Sequence, residues 1–237
     1  MTSDMPFSIA DSDVAPASPR DTIQQVTEGL IYCIRAGQMV PGQHLVEADL
    51  TQRFGVSRGS LREGLKQLAA DGIVTLSRFR GAFIASLDRK GVSDLLDVLE
   101  PLCMLAARLA AQACQQADAH ATLHEVAALL ERHGENGGRA AYLENRRRFY
   151  DLLIEMGGNS ELGRVIPLAR TDLFRAQFDT VQTKEQHRRH ARGYARIAEA
   201  VAQNDPAKAE RAVRRHFAGT RATLDVLPDQ AFAVALR

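Results

Sequence analysis

From Thr22 onward, apolar residues recur at Ile23, Val26, Leu30, Ile31 and Ile34, and the repeat stops in "GQMVPGQ", where Gly and Pro break a helix. Glu47 to Phe54 make a second, short helical stretch closed by Gly55. Ser57 then offers an N-cap hydroxyl to a third helix from Arg58 through Ala70. Residues 73–76 and 82–85 are strand-like runs on either side of the turn "SRFRG". Three helices and a two-stranded β wing predict a winged helix-turn-helix over residues 21–86.

The pattern changes after "LDRKG", residues 87–91, which reads as a hinge. Beyond it, Ala- and Leu-rich stretches predict helices near 92–116, 118–133, 139–157, 160–178, 183–203 and 206–226. Gly137-Gly138, Gly157-Gly158-Asn159 and Asn204-Asp205-Pro206 separate them. The expected fold is mainly α, with an all-α helical bundle over 92–228 and a short tail over 229–237. Residues 1–20 mix Ser, Asp, Ala and Pro without apolar periodicity and read as a flexible leader.

Apolar residues make up 45% of the 237-residue chain and charged residues 25%, enough to bury two modest cores. The net charge of +1 hides a local excess: residues 51–66 set Arg53, Arg58, Arg62 and Lys66 against Glu63 alone. Cys33, Cys103 and Cys114 lie far apart and form no CxxC pair, so neither a disulfide framework nor a thiolate zinc site is indicated. With no signal-peptide pattern and no apolar run long enough for a bilayer, a cytoplasmic location is expected.

On the third helix, Leu61, Leu65 and Leu68 share one face, and Arg58, Arg62 and Lys66 form a stripe beside it. The leucines anchor the helix, and Gly59 and Ser60 add little bulk at its first turn, so DNA could approach the backbone amides there. Arginine can fork two hydrogen bonds onto guanine in the major groove, which makes Arg58 and Arg62 the expected base readers. Lys66 is expected on a phosphate, with Arg53 a weaker phosphate candidate. Taken alone, such a stripe is more often a solvated face, but a short helix, a tight turn, a charged helix and a basic hairpin in succession point to DNA.

The stretch "PGQHLVEADLTQRFGVSRGSLREGLKQLAADGIV" and the later "RGAFIA" closely resemble the N-terminal signature of the GntR superfamily of bacterial transcription regulators. The helical half, through "RRFYDLLIEMGGN" and "RIAEAVAQNDPAKAERAVRRHF", resembles more loosely the FadR-type effector domain of that superfamily, known as FCD, so the resemblance spans about residues 20 to 226. It implies DNA-contacting roles for Arg58 and Arg62, with Gly81 at a wing tip that enters the minor groove. Ser57, Ser60, Lys66 and Arg80 complete the expected DNA-binding set. A further arginine of some members corresponds here to Ala48. The resemblance also implies a homodimer on double-stranded operator DNA, expected to act as a repressor, whose affinity changes when a small organic acid or similar molecule enters the helical domain.

Many FCD domains hold a divalent metal with one Asp and three His. Here those positions become Arg146, Tyr150 and Tyr194, and only His216 remains. An arginine repels a cation, so no metal cofactor is expected. Arg146 and Tyr150 lie one turn apart, and Arg146 could fork onto an anionic effector with Tyr150, Tyr194 and His216 adding hydrogen bonds. Alternatively, Arg146 pairs with a buried acid such as Glu100 or Glu144, and the tyrosines fill the old site. A shifted ligand set using His187 or His190 is the remaining route to a metal, but both lie in "KEQHRRHARG", which reads as a solvated helix start.

Two other functions compete with this reading. A small-molecule enzyme would cast Arg146, Tyr150, Tyr194 and His216 as acid, base and oxyanion stabiliser, yet no Gly-rich phosphate loop, nucleophile elbow or Cys/His pairing accompanies them. An architectural DNA protein without an effector would have no use for so large a helical domain.

Overall fold

A computed structural model describes residues 19–113, 117–136 and 138–233. The first helix, α1 (Pro19–Arg35), is followed by a two-residue strand β1 (His44–Leu45), then α2 (Glu47–Phe54) and α3 (Arg58–Ala70). Strands β2 (Val74–Ser77) and β3 (Gly81–Ile84) form the hairpin. Both strands flanking β3 run antiparallel to it, in the order β1-β3-β2, with Val74 opposite Ile84 and Leu45 opposite Ala82. The wing hairpin therefore belongs to a three-stranded sheet. The extra strand is too short to leave a periodic signal in the sequence.

Local chemistry explains these boundaries. Gly55 takes the left-handed conformation (φ 63°) and returns its N–H to Thr51 O, ending α2. The Ser57 hydroxyl accepts from the Ser60 amide and starts α3. Leu61, Leu65 and Leu68 are fully buried against Val26 and Leu30 of α1 and against Ile73 and Ile84; each contributes roughly 1.5–3 kcal/mol relative to exposure. Gly64 lets the two helices meet: a Cβ there would sit 2.7 Å from Val26 Cγ1.

The second half is all helical, with α4 (Arg89–Ala113), α5 (Ala117–Asn136), α6 (Arg139–Gly157), α7 (Ser160–Val165), α8 (Leu168–Phe178), α9 (Lys184–Ala202) and α10 (Pro206–Asp225), then a 3-10 turn at Asp229–Ala231. A bundle of α4, α5, α6, α9 and α10 surrounds one apolar core. Thr183 and Gln186 form a reciprocal capping box on α9, and Asp205 caps α10 with Pro206 in its first turn.

Three boundaries depart from the sequence expectation. The helix expected over 160–178 is broken at Ile166-Pro167, because proline removes a backbone donor and disfavours helix at the residue before it. The hinge expected at 87–91 is not a free connector: α4 begins at Arg89, and Gln177 of α8 binds both the amide and the carbonyl of Leu87 at 2.8 Å. The expected leader falls mostly outside the described residues, and Pro19 and Arg20 already belong to α1.

Helix α8 joins the two halves. Its Leu173 and Ala176 complete the core of the winged unit, whereas its Phe174 and Phe178 pack into the bundle.

Candidate functional site

Two regions carry the chemistry. On α3, Arg58, Arg62 and Lys66 are exposed on the side away from the buried leucines. Arg62 Nε donates to Glu47 at 3.1 Å, and Lys66 Nζ donates to Glu63 at 2.7 Å, both in exposed pairs. Ser57 is engaged as the N-cap, and the Ser60 hydroxyl lies 3.0 Å from that of Ser57 and 3.2 Å from that of Thr22. These two serines hold the first turn of α3 in place.

Arg80 is exposed at the wing. Gly81 follows it with φ +84°, a left-handed conformation that suits glycine. A cleft of about 530 Å³ beside the outer face of the wing is lined by Arg80, Phe83, Leu87 and Arg170.

The second region lies inside the helical domain, where Arg146, Tyr150, Tyr194 and His216 converge. All four are buried: Tyr194 is 0% exposed, Tyr150 2%, Arg146 5% and His216 5%. Arg146 Nε donates to the Tyr194 hydroxyl at 3.1 Å, and its Nη1 donates to Thr171 Oγ1 at 2.9 Å and Asp172 Oδ1 at 3.3 Å. Its guanidinium carbon lies 5.2 Å from the centre of the Tyr150 ring. The buried acid that pairs with Arg146 is thus Asp172, not Glu100 or Glu144. Glu100 pairs with Arg221, and Glu144 with Arg35.

Asp172 has a second partner from the other half of the molecule, since Arg35 in the last turn of α1 donates through Nε to Asp172 Oδ2 at 2.8 Å. One carboxylate, 1% exposed, is shared by a guanidinium of the winged unit and one of the bundle. Burial pushes its pKa up, against the downward pull of Arg146 and Arg35.

Sequence reasoning missed Arg175 and misplaced His190. Among the described residues Arg175 has no ion pair. Its Nη2 donates to His190 Nδ1 at 3.3 Å and to Thr220 Oγ1 at 3.4 Å, and its buried Nε has no partner. Burial lowers the pKa of this guanidinium. His190 is not on a solvated helix start: its ring centre lies 4.1 Å from that of His216 and 5.4 Å from that of Tyr194. An arginine can only donate, so we assign His190 Nδ1 as the bare nitrogen and place the ring proton on Nε2, 3.4 Å from the Tyr194 hydroxyl. Burial first, and then the charge of Arg175, hold His190 and His216 well below the usual histidine range.

The cluster therefore sets three guanidinium groups, those of Arg35, Arg146 and Arg175, and two neutral imidazoles against the one carboxylate of Asp172. This donor set does not fit a cation. No group of three His, Cys, Asp or Glu among the described residues is arranged to hold a metal, and His187 Nε2 faces the Asp179 carbonyl at 3.1 Å. A void of about 10 Å³, on the order of one water, lies between Tyr142, Arg175, His187 and His190. A larger molecule would have to move these side chains.

Comparison with known proteins matches residues 22–84 to the family described as bacterial regulatory proteins, gntR family, and residues 94–219 to the FCD domain. The chain is similar to the Glc operon transcriptional activator of Escherichia coli K12, 29% identical over 220 residues, 83% of this chain and 86% of that protein. It is also similar to an uncharacterized HTH-type transcriptional regulator, YdhC, of Bacillus subtilis: 28% identical over 138 residues, 55% of this chain and 58% of that protein. The solved structure of McbR/YncC from E. coli shares the fold, with a TM-score of 0.74 at 17% identity over 86% of this chain and 97% of that one. No helix among the described residues is long and apolar enough to cross a membrane. The chain belongs to the gntR family of bacterial regulatory proteins, and it is a DNA-binding transcriptional regulator with an FCD domain.

Proposed function

We propose that the protein is a homodimeric repressor whose two α3 helices enter successive major-groove faces of an operator, and that a small anionic metabolite bound at the Arg146 cluster releases it. Arg58 and Arg62 read base edges, Lys66 holds a phosphate, and Arg80 and Gly81 bring the wing to the minor groove. The effector is an organic acid or another compact anion and needs no metal ion, because Arg146 and Arg175 supply fixed positive charge in a buried site with a single carboxylate. Tyr150, Tyr194, His190 and His216 complete its polar surroundings.

The observation that carries this reading is the sharing of Asp172 between Arg146 and Arg35. An anion that engages Arg146 competes for the guanidinium that Asp172 holds, and so changes the counter-ion environment of Arg35 and the seat of α1 on α8. By linkage, whatever the effector does to operator affinity, the operator does to effector affinity by the same factor.

Calorimetric titration of wild type, Arg146→Met and Arg175→Met with a panel of mono- and dicarboxylic acids and sugar phosphates tests it. At least one acid should bind wild type and lose most of its affinity in both variants. Equal affinities across the three proteins would dispose of the anion site.

A further inference from the structure

The wing carries a residue to which the proposed DNA contacts give no role. Ser77 pairs with Gly81 across the hairpin, so Arg78, Phe79 and Arg80 alone form its tip. Turn tips of this length favour small polar residues, with glycine where the chain turns left-handed, and Gly81 meets that second need at φ +84°. Phe79 meets no such need. It is 91% exposed, the highest value among the large apolar side chains of the described residues, and the Arg78 guanidinium approaches it loosely, 5.9 Å from its ring centre. Both neighbouring arginines are exposed, and neither has an ion pair among the described residues.

An aromatic ring between two guanidinium groups without ion pairs is matched to a narrow channel walled by phosphates and floored by stacked bases. The minor groove of DNA is about 6 Å wide, and its negative potential draws arginine most strongly where it is narrow. Proteins that enter this groove push apolar wedges, phenylalanine among them, between base steps, and unstacking is cheapest at flexible pyrimidine–purine steps. The wing follows α3 directly through the Asp71-Gly72 turn, and β2 packs against α3, so a duplex seated on Arg58 and Arg62 has the wing tip beside it.

We propose that Phe79 is a minor-groove wedge: it inserts at a TA or CA step flanking each half-site, with Arg78 and Arg80 on the adjoining phosphates or groove floor, and so adds a sequence preference through DNA deformability rather than base hydrogen bonds. This rests on the DNA docking proposed above and extends it to a residue and a recognition mode outside the expected contact set.

The test uses the full-length protein and a fragment from beside its own gene that wild type retards in a gel, with 2-aminopurine scanned through the sequence flanking the half-sites. Wild type and Phe79→Leu should raise 2-aminopurine fluorescence at one flanking step. Phe79→Ala should lose that signal and bind about ten-fold more weakly, the effect of losing one base–aromatic contact. Replacing the step by a purine–pyrimidine one should weaken wild type but not Phe79→Ala. An unchanged signal and affinity in Phe79→Ala would overturn the wedge, as would unchanged DNA binding with loss of self-association in sedimentation, which would make Phe79 a protein contact. Arg62→Ala is the control. If it abolishes selectivity while Phe79→Ala changes nothing, the wedge alone falls; if neither matters, the docking falls with it.

Discussion

A side chain on Gly193 would collide with His216: its Cβ would lie 3.0 Å from Cγ and Cε1 of the imidazole and closer still to Nδ1. Helices α9 and α10 therefore meet at the polar cluster as closely as a bare backbone permits, and His216 fills the space that a Cβ would take. Gly193→Ala should lower stability by about 1–3 kcal/mol, the usual cost of overpacking a core. The same change in a His216→Ala background should cost much less, because the colliding ring is gone. Thermal melts of the four proteins check this; equal penalties in both backgrounds would mean that the clash is relieved elsewhere.

Two imidazoles, the buried His216 and the half-buried His190, give the protein an acid-side weakness. His190 faces Arg175, Arg146, His216 and His187, and His216 faces Arg175, Arg146 and Arg196, all of which disfavour a further positive charge after burial itself. Their folded pKa values lie well below the ordinary 6.5, so below that pH the unfolded chain binds protons that the native one refuses. Stability is then full above about pH 6.5 and falls on acidification, by up to about 1.4 kcal/mol per pH unit for each histidine. Denaturant melts from pH 7.5 to 5.5 should show this slope in wild type and its loss in the His190→Gln, His216→Gln double variant. Parallel profiles would contradict it.

The winged unit was legible because its signals are local. The 3.6-residue spacing of Leu61, Leu65 and Leu68, the Ser57 cap and the left-handed Gly55 each act within a few residues of themselves. The meeting of Arg146, Tyr150, Tyr194 and His216 was foreseen through positions in a family pattern, but their partners were not. Asp172 and Arg175 lie on α8, where Thr171, Asp172, Leu173, Phe174, Ala176 and Phe178 are all buried, so the helix has neighbours on almost every side and little amphipathic contrast. Nothing near Asp172 in sequence announces that its counter-ions stand at positions 35 and 146. His190 misled for a related reason: Arg188, Arg189 and Arg192 around it make the stretch polar, although His190 shares the inward face of Tyr194 one turn on.

Asp172 also bears on stability. Among the described residues it is the one carboxylate in hydrogen-bonding contact with both Arg35 and Arg146, and Asp172→Asn would leave two largely buried guanidinium groups without it. Breaking a buried pair in this way costs about 3–5 kcal/mol. Adding Arg146→Met should recover much of that loss, since the charge left without a carboxylate goes with it, whereas Arg35 keeps Glu144. In the Asp172→Asn protein, hydrogen exchange should rise in α8 and in the last turn of α1 ahead of the rest of the winged unit. Exchange that rises uniformly would show that Asp172 holds no particular joint.

In the protein alone Arg62 is held by Glu47, and in the docking proposed above it trades that carboxylate for guanine. The pair is exposed, with side-chain exposures of 66% and 39%, and such pairs contribute little to folding. Glu47→Gln should therefore leave thermal stability nearly unchanged. It should tighten DNA binding several-fold at low salt, because one competing anion near the phosphates is removed. Arg62→Ala should instead relax base preference, by about 1–3 kcal/mol at one position. Lys66→Ala should weaken all sequences alike and reduce the salt slope of binding by about one unit. Gel shifts on matched and mismatched duplexes across a salt series separate the three effects. If Glu47→Gln weakened binding instead, Glu47 would be aligning Arg62 for the groove rather than competing with it.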